Sequence, residues 1–137
     1  MSHMSRITHI KFLDKQLLID SLIEQGFTSD QIEVADGNEL ELIGYDGRTR
    51  NIKGCIRIKR KHVGRMSNDL GYVYESDGVS IIPIISDYDK HQYNDKWLGK
   101  LKQSYLNVLT QKQLTNRGYR CKVIVTGATK TVVAEKL

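Results

Sequence analysis

The residues best suited to chemistry form one basic run. From Gly44 to Arg65 the chain reads GYDGRTRNIKGCIRIKRKHVGR and carries Arg48, Arg50, Lys53, Arg57, Lys59, Arg60, Lys61 and Arg65. Guanidinium and ammonium groups hold phosphate or carboxylate by charge-assisted hydrogen bonds, arginine in a bidentate fork where geometry allows. Tyr45, Tyr72 and Tyr74 would supply rings for base stacking. The competing explanation is a solvated strand face whose cations keep a sheet edge from pairing with another chain. The candidate ligand contacts are Arg48, Arg50, Lys53, Arg57, Lys59, Lys61, Arg65, Tyr45 and Tyr72.

Two other groupings carry weaker signals. Asp87, Asp89 and His91 stand at alternate positions and would offer two oxygens and a nitrogen to a metal, with a further ligand such as His62. A turn-rich segment leading into a helix explains the same residues, so no metal is assigned. His3 and His9 would serve as general bases only if buried beside a carboxylate. Ser2, Ser5 and Cys55 complete no nucleophile signature. No catalytic residue is assigned and no cofactor is expected. Gly44, Gly47, Gly54, Gly64 and Gly71 lack the spacing of a phosphate-binding loop, and hairpin turns account for them better.

The totals fit this picture. A chain of 137 residues, with 39% hydrophobic and 27% charged content, forms one domain (residues 1–137) able to bury its own core. A formal charge of +5 and a pI near 9.2 favour anionic partners: nucleic acid, nucleotides or acidic protein surfaces. No apolar stretch approaches the ~20 residues of a membrane span, and no secretory leader is recognisable. A cytoplasmic protein with no membrane partner is expected. Cys55 and Cys121 lack ligand spacing and are expected to stay reduced.

The elements that must position these residues alternate helix and hairpin signals. Met4 to Phe12 reads as a strand, and Asp14 caps a helix over 15–25 with a stripe of Leu18, Ile19, Leu22 and Ile23, closed by Gly26. Short strands follow over 32–34 and 39–44. Tyr45-Asp46-Gly47-Arg48 reads as a hairpin turn of the type I′ class, and the return strand is expected over 49–61. On that strand Ile52, Gly54, Ile56 and Ile58 share one face, and Lys53, Cys55, Arg57, Lys59 and Lys61 the other. Its four cations would be spaced ~7 Å apart. A loop over 63–70 precedes a hairpin around Ser76-Asp77-Gly78, in which Pro83 marks an edge strand or a bulge. Asn94 or Asp95 caps a long helix to Arg117, with Trp97, Leu98, Leu101, Tyr105, Val108 and Leu109 inward, and a hairpin around 127–129 ends the chain. Each half reads strand, helix, glycine, aromatic, hairpin, the mark either of an internal duplication or of two separate solutions to the same helix-stop problem. The expected fold is α+β: a mostly antiparallel sheet with two helices on one face, loosely ferredoxin-like.

Several stretches resemble one known family. Met1-Ser2-His3 with Ser5-Arg6-Ile7, Gly44-Tyr45-Asp46-Gly47-Arg48, Asp69-Leu70-Gly71-Tyr72-Val73, Gln103-Ser104-Tyr105 and Gly118-Tyr119 are similar to the uncharacterised thirty-fifth hypothetical chloroplast reading frame. That family occurs in cyanobacteria, plastids and tailed phages. The resemblance implies a native Met1-Ser2-His3 start and brings no catalytic residues. The chain departs from the family pattern at 59–67, which is longer and more basic. Through the phage relatives the resemblance implies one variant, a sponge that sequesters a nucleotide signal as a homo-oligomer.

The functional expectation is a non-enzymatic binding module for an anionic ligand, either a nucleotide-type small molecule or nucleic acid. The alternative is a protein-interaction factor docking an acidic partner through a basic sheet face. A small enzyme using histidine ranks last.

Overall fold

The computed structural model describes residues 3–127 and 129–137. Met1 and Ser2 of the family-like opening, and Ala128 of the last turn, lie outside the described residues. The fold is α+β, and its main sheet has five strands in the order β1-β7-β6-β5-β2, every pairing antiparallel. These are β1 (Met4–Arg6), β2 (Ile32–Val34), β5 (Ile56–Ile58), β6 (Leu70–Tyr74) and β7 (Ile81–Ser86). The hairpin of β3 (Leu40–Ile43) and β4 (Thr49–Gly54) forms its own two-stranded sheet, and so does that of β8 (Tyr119–Thr126) and β9 (Thr129–Lys136). The helices are α1 (Lys15–Glu24), the single turn α2 (Arg60–Val63) and α3 (Asp95–Asn116).

The main sheet is covered on both faces. On one side Leu17, Leu18 and Leu22 of α1 and Leu98, Leu101 and Tyr105 of α3 pack on Ile56, Ile58, Leu70, Tyr72, Ile81 and Ile85. On the other, Leu42 and Ile52 of the β3–β4 hairpin pack on Met4, Val73, Ile82 and Ile84. This explains why Ile81–Ser86 lacks the polar alternation of a half-exposed antiparallel strand: all six residues are buried. Side chains alternate between faces along a strand, so Ile81 and Ile85 enter the helix-side core and Ile82 and Ile84 the hairpin-side core.

Helix boundaries follow the local signals. Asp14 accepts from Leu17 N–H (3.1 Å) and Asn94 from Trp97 N–H (3.0 Å), as N-caps do. Gly26 adopts φ +116°, and Phe27 N–H then reaches back to Leu22 O (3.2 Å). The buried face of α1 is Leu17, Leu18, Ser21 and Leu22, so the expected stripe is rotated and Ile23 is exposed.

Three strand expectations need correction. The first strand ends at Arg6, and the chain turns at Thr8–His9 before Phe12 bridges to Ile81. That departure lies opposite Pro83, which cannot donate to a neighbouring strand. Pro83 therefore marks an interruption inside the sheet, between β6 and β1, and not its edge. Second, the Gly44–Arg48 turn places only Gly47 at positive φ (+79°). Gly47 N–H donates to Gly44 O (2.9 Å) and Gly44 N–H to Arg48 O (2.8 Å), the pattern of a type I turn with a glycine bulge.

Third, the long return strand expected over 49–61 does not exist: it is split into β4 and β5, which belong to different sheets, and the helical turn α2. A Cβ on Gly54 would sit 2.7 Å from Tyr72 O, so the chain passes hard against β6 there. Cys55 then turns inward, its N–H donating to Tyr72 O (2.9 Å), and burial pushes its thiol pKa up. Parity resets at this point: Ile52 enters the hairpin-side core, whereas Ile56 and Ile58 enter the helix-side core. The hairpin of each half forms its own two-stranded sheet, β3–β4 in the first and β8–β9 in the second, while β2, between α1 and the first hairpin, joins the main sheet.

Candidate functional site

The site is built outward from two buried polar residues, Asn68 and Asp69, at the start of β6. Asp69 Oδ2 accepts from Ile43 N–H (2.7 Å), and its Oδ1 from Arg60 N–H (2.8 Å). Asp69 N–H donates back to Ile43 O (2.9 Å). One carboxylate thus ties the end of β3, the start of α2 and the start of β6 together. Asn68 Oδ1 accepts from Tyr45 N–H (2.9 Å) and its amide donates to Ser86 Oγ (2.9 Å). Behind it, Asp89 Oδ2 accepts from Ser86 Oγ–H (2.6 Å) and Asn68 N–H (3.0 Å). Buried polar groups that are fully engaged in this way rigidify what they join.

Where these three elements meet, a cleft of about 700 Å³ opens, lined by Ile43, Arg57, Lys59, Arg60, Lys61, Gly64, Arg65 and Asp69. Four expected contacts, Arg57, Lys59, Lys61 and Arg65, therefore converge, joined by Arg60. The sequence offered no sign that Ile43 and Asp69 would form the opposing wall. That depends on a contact between residues 26 positions apart.

The five cations are not equivalent. Arg57 Nε donates to Glu33 Oε2 (2.6 Å) and Nη1 to Glu41 O (2.6 Å), leaving its side chain 16% exposed. Lys59 shares Glu33 at 3.3 Å. Burial works against the Glu33 carboxylate, but the hydrogen bonds and charges of Arg57 and Lys59 outweigh it and lower its pKa. Arg57 is thus largely committed to holding β2 and β3 beside β5. Among the described residues no carboxylate lies within ion-pair distance of Arg60, Lys61 or Arg65.

The remaining expected contacts lie elsewhere. Arg50 folds back into its own turn, bonding Asp46 Oδ1 (3.0 Å) and Arg48 O (3.2 Å) with its guanidinium 5.7 Å from the Tyr45 ring centre. Its side chain fills the space that a Cβ on Gly44 would need. Arg48 is exposed at the turn and Lys53 is exposed opposite Glu41 on the hairpin. Neither lines the cleft. Tyr72 is 0% exposed, packed edge-on against Phe12, and presents no ring face to a ligand. Tyr45 is exposed but its ring lies beside Arg50. The continuous cationic sheet face is therefore absent among the described residues, because the strand that was to carry it is split.

The other candidates are dispersed. Asp87 is exposed and pairs with Lys90 (3.0 Å), Asp89 turns inward, and His91 Nδ1 meets its neighbour Tyr88 O. Among the described residues no group of His, Cys, Asp and Glu is arranged to hold a metal. His9 Nε2 lies 3.2 Å from Asp95 Oδ1, but both side chains are largely in solvent. The burial that a general base there would need is missing. Cys55 and Cys121 are both free, and no described helix is long and apolar enough to cross a membrane.

Scans against models of known families, curated proteins and solved structures found no match to this chain.

Proposed function

We propose that the protein is a non-enzymatic binding module for an anionic, phosphate-bearing ligand, either a nucleotide-type small molecule or nucleic acid, held in the Arg57–Arg65 cleft. One observation carries this reading: Arg60, Lys61 and Arg65 meet in a concavity without carboxylate partners among the described residues. Like charges gathered without neutralisation repel one another, and an anion relieves that repulsion. The cleft volume also falls in the range of small-molecule sites, roughly 300–1,000 Å³. A phage-type nucleotide sponge is the form of this reading that the family resemblance supports.

The test is binding of a fluorescent nucleoside triphosphate and of a labelled oligonucleotide, followed by fluorescence polarisation against salt. Lys61→Glu combined with Arg65→Glu should weaken binding at least about tenfold. If the oligonucleotide binds, each lost phosphate contact should lower the salt slope by about 1. Arg48→Glu with Lys53→Glu carries the same change in charge outside the cleft and should have little effect. Equal losses in the two double variants would locate binding in the overall charge and not in the cleft.

A further inference from the structure

We infer that the cleft takes a compact oligophosphate, two or three linked phosphate groups as in tripolyphosphate or a nucleoside triphosphate tail, and discriminates little between bases. This inference rests on the anion-binding reading above and narrows its ligand.

Bases are held without sequence preference by stacking on aromatic rings, yet among the described residues no aromatic side chain lines the cleft. The nearby rings are committed: Tyr72 is in the core, Tyr45 lies beside Arg50, and Tyr93 is buried with its hydroxyl donating to Val63 O (3.3 Å). Among the described residues the only apolar side chain of the lining is Ile43, at the end of β3.

Arg57, Lys59, Arg60, Lys61 and Arg65 are set against two carboxylates, Glu33 and Asp69, leaving a net of three positive charges. The two carboxylates have other duties, Glu33 on Arg57 and Lys59 and Asp69 on backbone N–H groups. Glu33 offsets only one of Arg57 and Lys59, so the surplus is spread over the cleft, and Arg60, Lys61 and Arg65 are the cations in it with no carboxylate within ion-pair distance among the described residues. Two guanidinium forks and one ammonium suit the non-bridging oxygens of adjacent phosphates, arginine bidentately and lysine as a point charge.

A nucleic-acid strand is followed by cations strung along a groove. Here the further cations of the same segment, Arg48 and Lys53, sit on the β3–β4 hairpin outside the cleft. The unpaired charges fall within six consecutive residues, 60–65, on one helical turn and the loop after it. That is a pocket for a short polyanion.

The experiment is isothermal titration calorimetry of the intact protein at low salt. The ligands are phosphate, pyrophosphate, tripolyphosphate, ATP, GTP, CTP, UTP, adenosine and a single-stranded oligonucleotide. Affinity should rise by about tenfold with each added phosphate. The four nucleoside triphosphates should agree within about threefold, tripolyphosphate should displace each of them, and adenosine should not bind. A preference of more than about tenfold for one base, or binding of adenosine, would overturn the inference and leave the anion reading intact. So would oligonucleotide binding that tripolyphosphate fails to displace. Absence of binding by every anion would overturn both.

Discussion

Asp69 and its neighbours show how much single positions of this protein carry. Its carboxylate satisfies the N–H groups of Ile43 and Arg60, and a buried donor left unsatisfied costs about 1–3 kcal/mol. Asp69→Ala should therefore destabilise by about 3 kcal/mol in urea unfolding, and Asp69→Asn, which keeps an acceptor, by less. Gly71 and Gly44 form an instructive pair. A Cβ on Gly71 would lie 2.5 Å from Leu42 Cδ1 and 2.9 Å from Ile84 Cγ2, between the sheet and its hairpin cover. Gly71→Ala should cost about 1–3 kcal/mol by overpacking. The three atoms nearest a Cβ on Gly44 all belong to the guanidinium of Arg50, the far end of a flexible side chain rather than backbone. Gly44→Ala should then cost less than Gly71→Ala in the same unfolding measurement.

At the scale of elements, the β3–β4 hairpin has two roles. Leu42 and Ile52 cover one face of the main sheet, and Ile43 forms a wall of the cleft. Alternate residues of β3 thus divide between core and site. Leu42→Ala should destabilise by about 2–5 kcal/mol, as cavity-forming truncations of buried leucine do. It should also weaken anion binding through misplacement of Ile43, although Leu42 does not line the cleft. Unfolding and titration of the same variant check both. The hairpin was legible as a hairpin because Asp46-Gly47 is a strong turn dipeptide. Its position over β6 was not, because local turn chemistry says nothing about which surface the hairpin covers. The basic strand was misread for a related reason: alternation through Cys55 is unbroken in the sequence, and the break comes from the approach of Gly54 to the backbone of Tyr72.

For the whole molecule, the carboxylates predict an acid response. Hydrogen bonds from the Ser80 hydroxyl and from Val79 and Ser80 N–H lower the Asp77 pKa from 3.8 to about 2. Glu33 is also lowered from its ordinary 4.5, by Arg57 and Lys59 against the opposing effect of burial. A depressed folded-state pKa contributes stability that is present above the unfolded value and is lost as pH falls through the folded value. For Asp77 the window is 3.8 down to about 2, and for Glu33 it begins near 4.5. Thermal midpoints should therefore decline as pH falls from 4.5 towards 2. The decline should be shallower in Asp77→Asn and in Glu33→Gln. Equal slopes in wild type and both variants would contradict the assignment.

What the sequence determined by itself is local. Caps at Asp14 and Asn94, glycine stops at Gly26 and Gly118, and turn dipeptides at Asp46-Gly47 and Asp77-Gly78 each act within a few residues, and each punctuation mark is found where its chemistry requires. Helical periodicity likewise placed Leu18, Leu22, Leu98 and Leu101 inside. The α+β class follows, because two amphipathic helices need a sheet to cover. Tertiary structure alone decided which cations converge. Arg57 is drawn to Glu33 across the β2–β5 pair, Arg50 is drawn into its own turn, and Arg60, Lys61 and Arg65 are left facing Ile43 and Asp69. The physical reason is that a charge is used up by whichever partner folding brings within reach: Asp46 lies four residues from Arg50 in the same turn, but Glu33 lies 24 residues from Arg57 and is brought to it only by the pairing of β2 with β5.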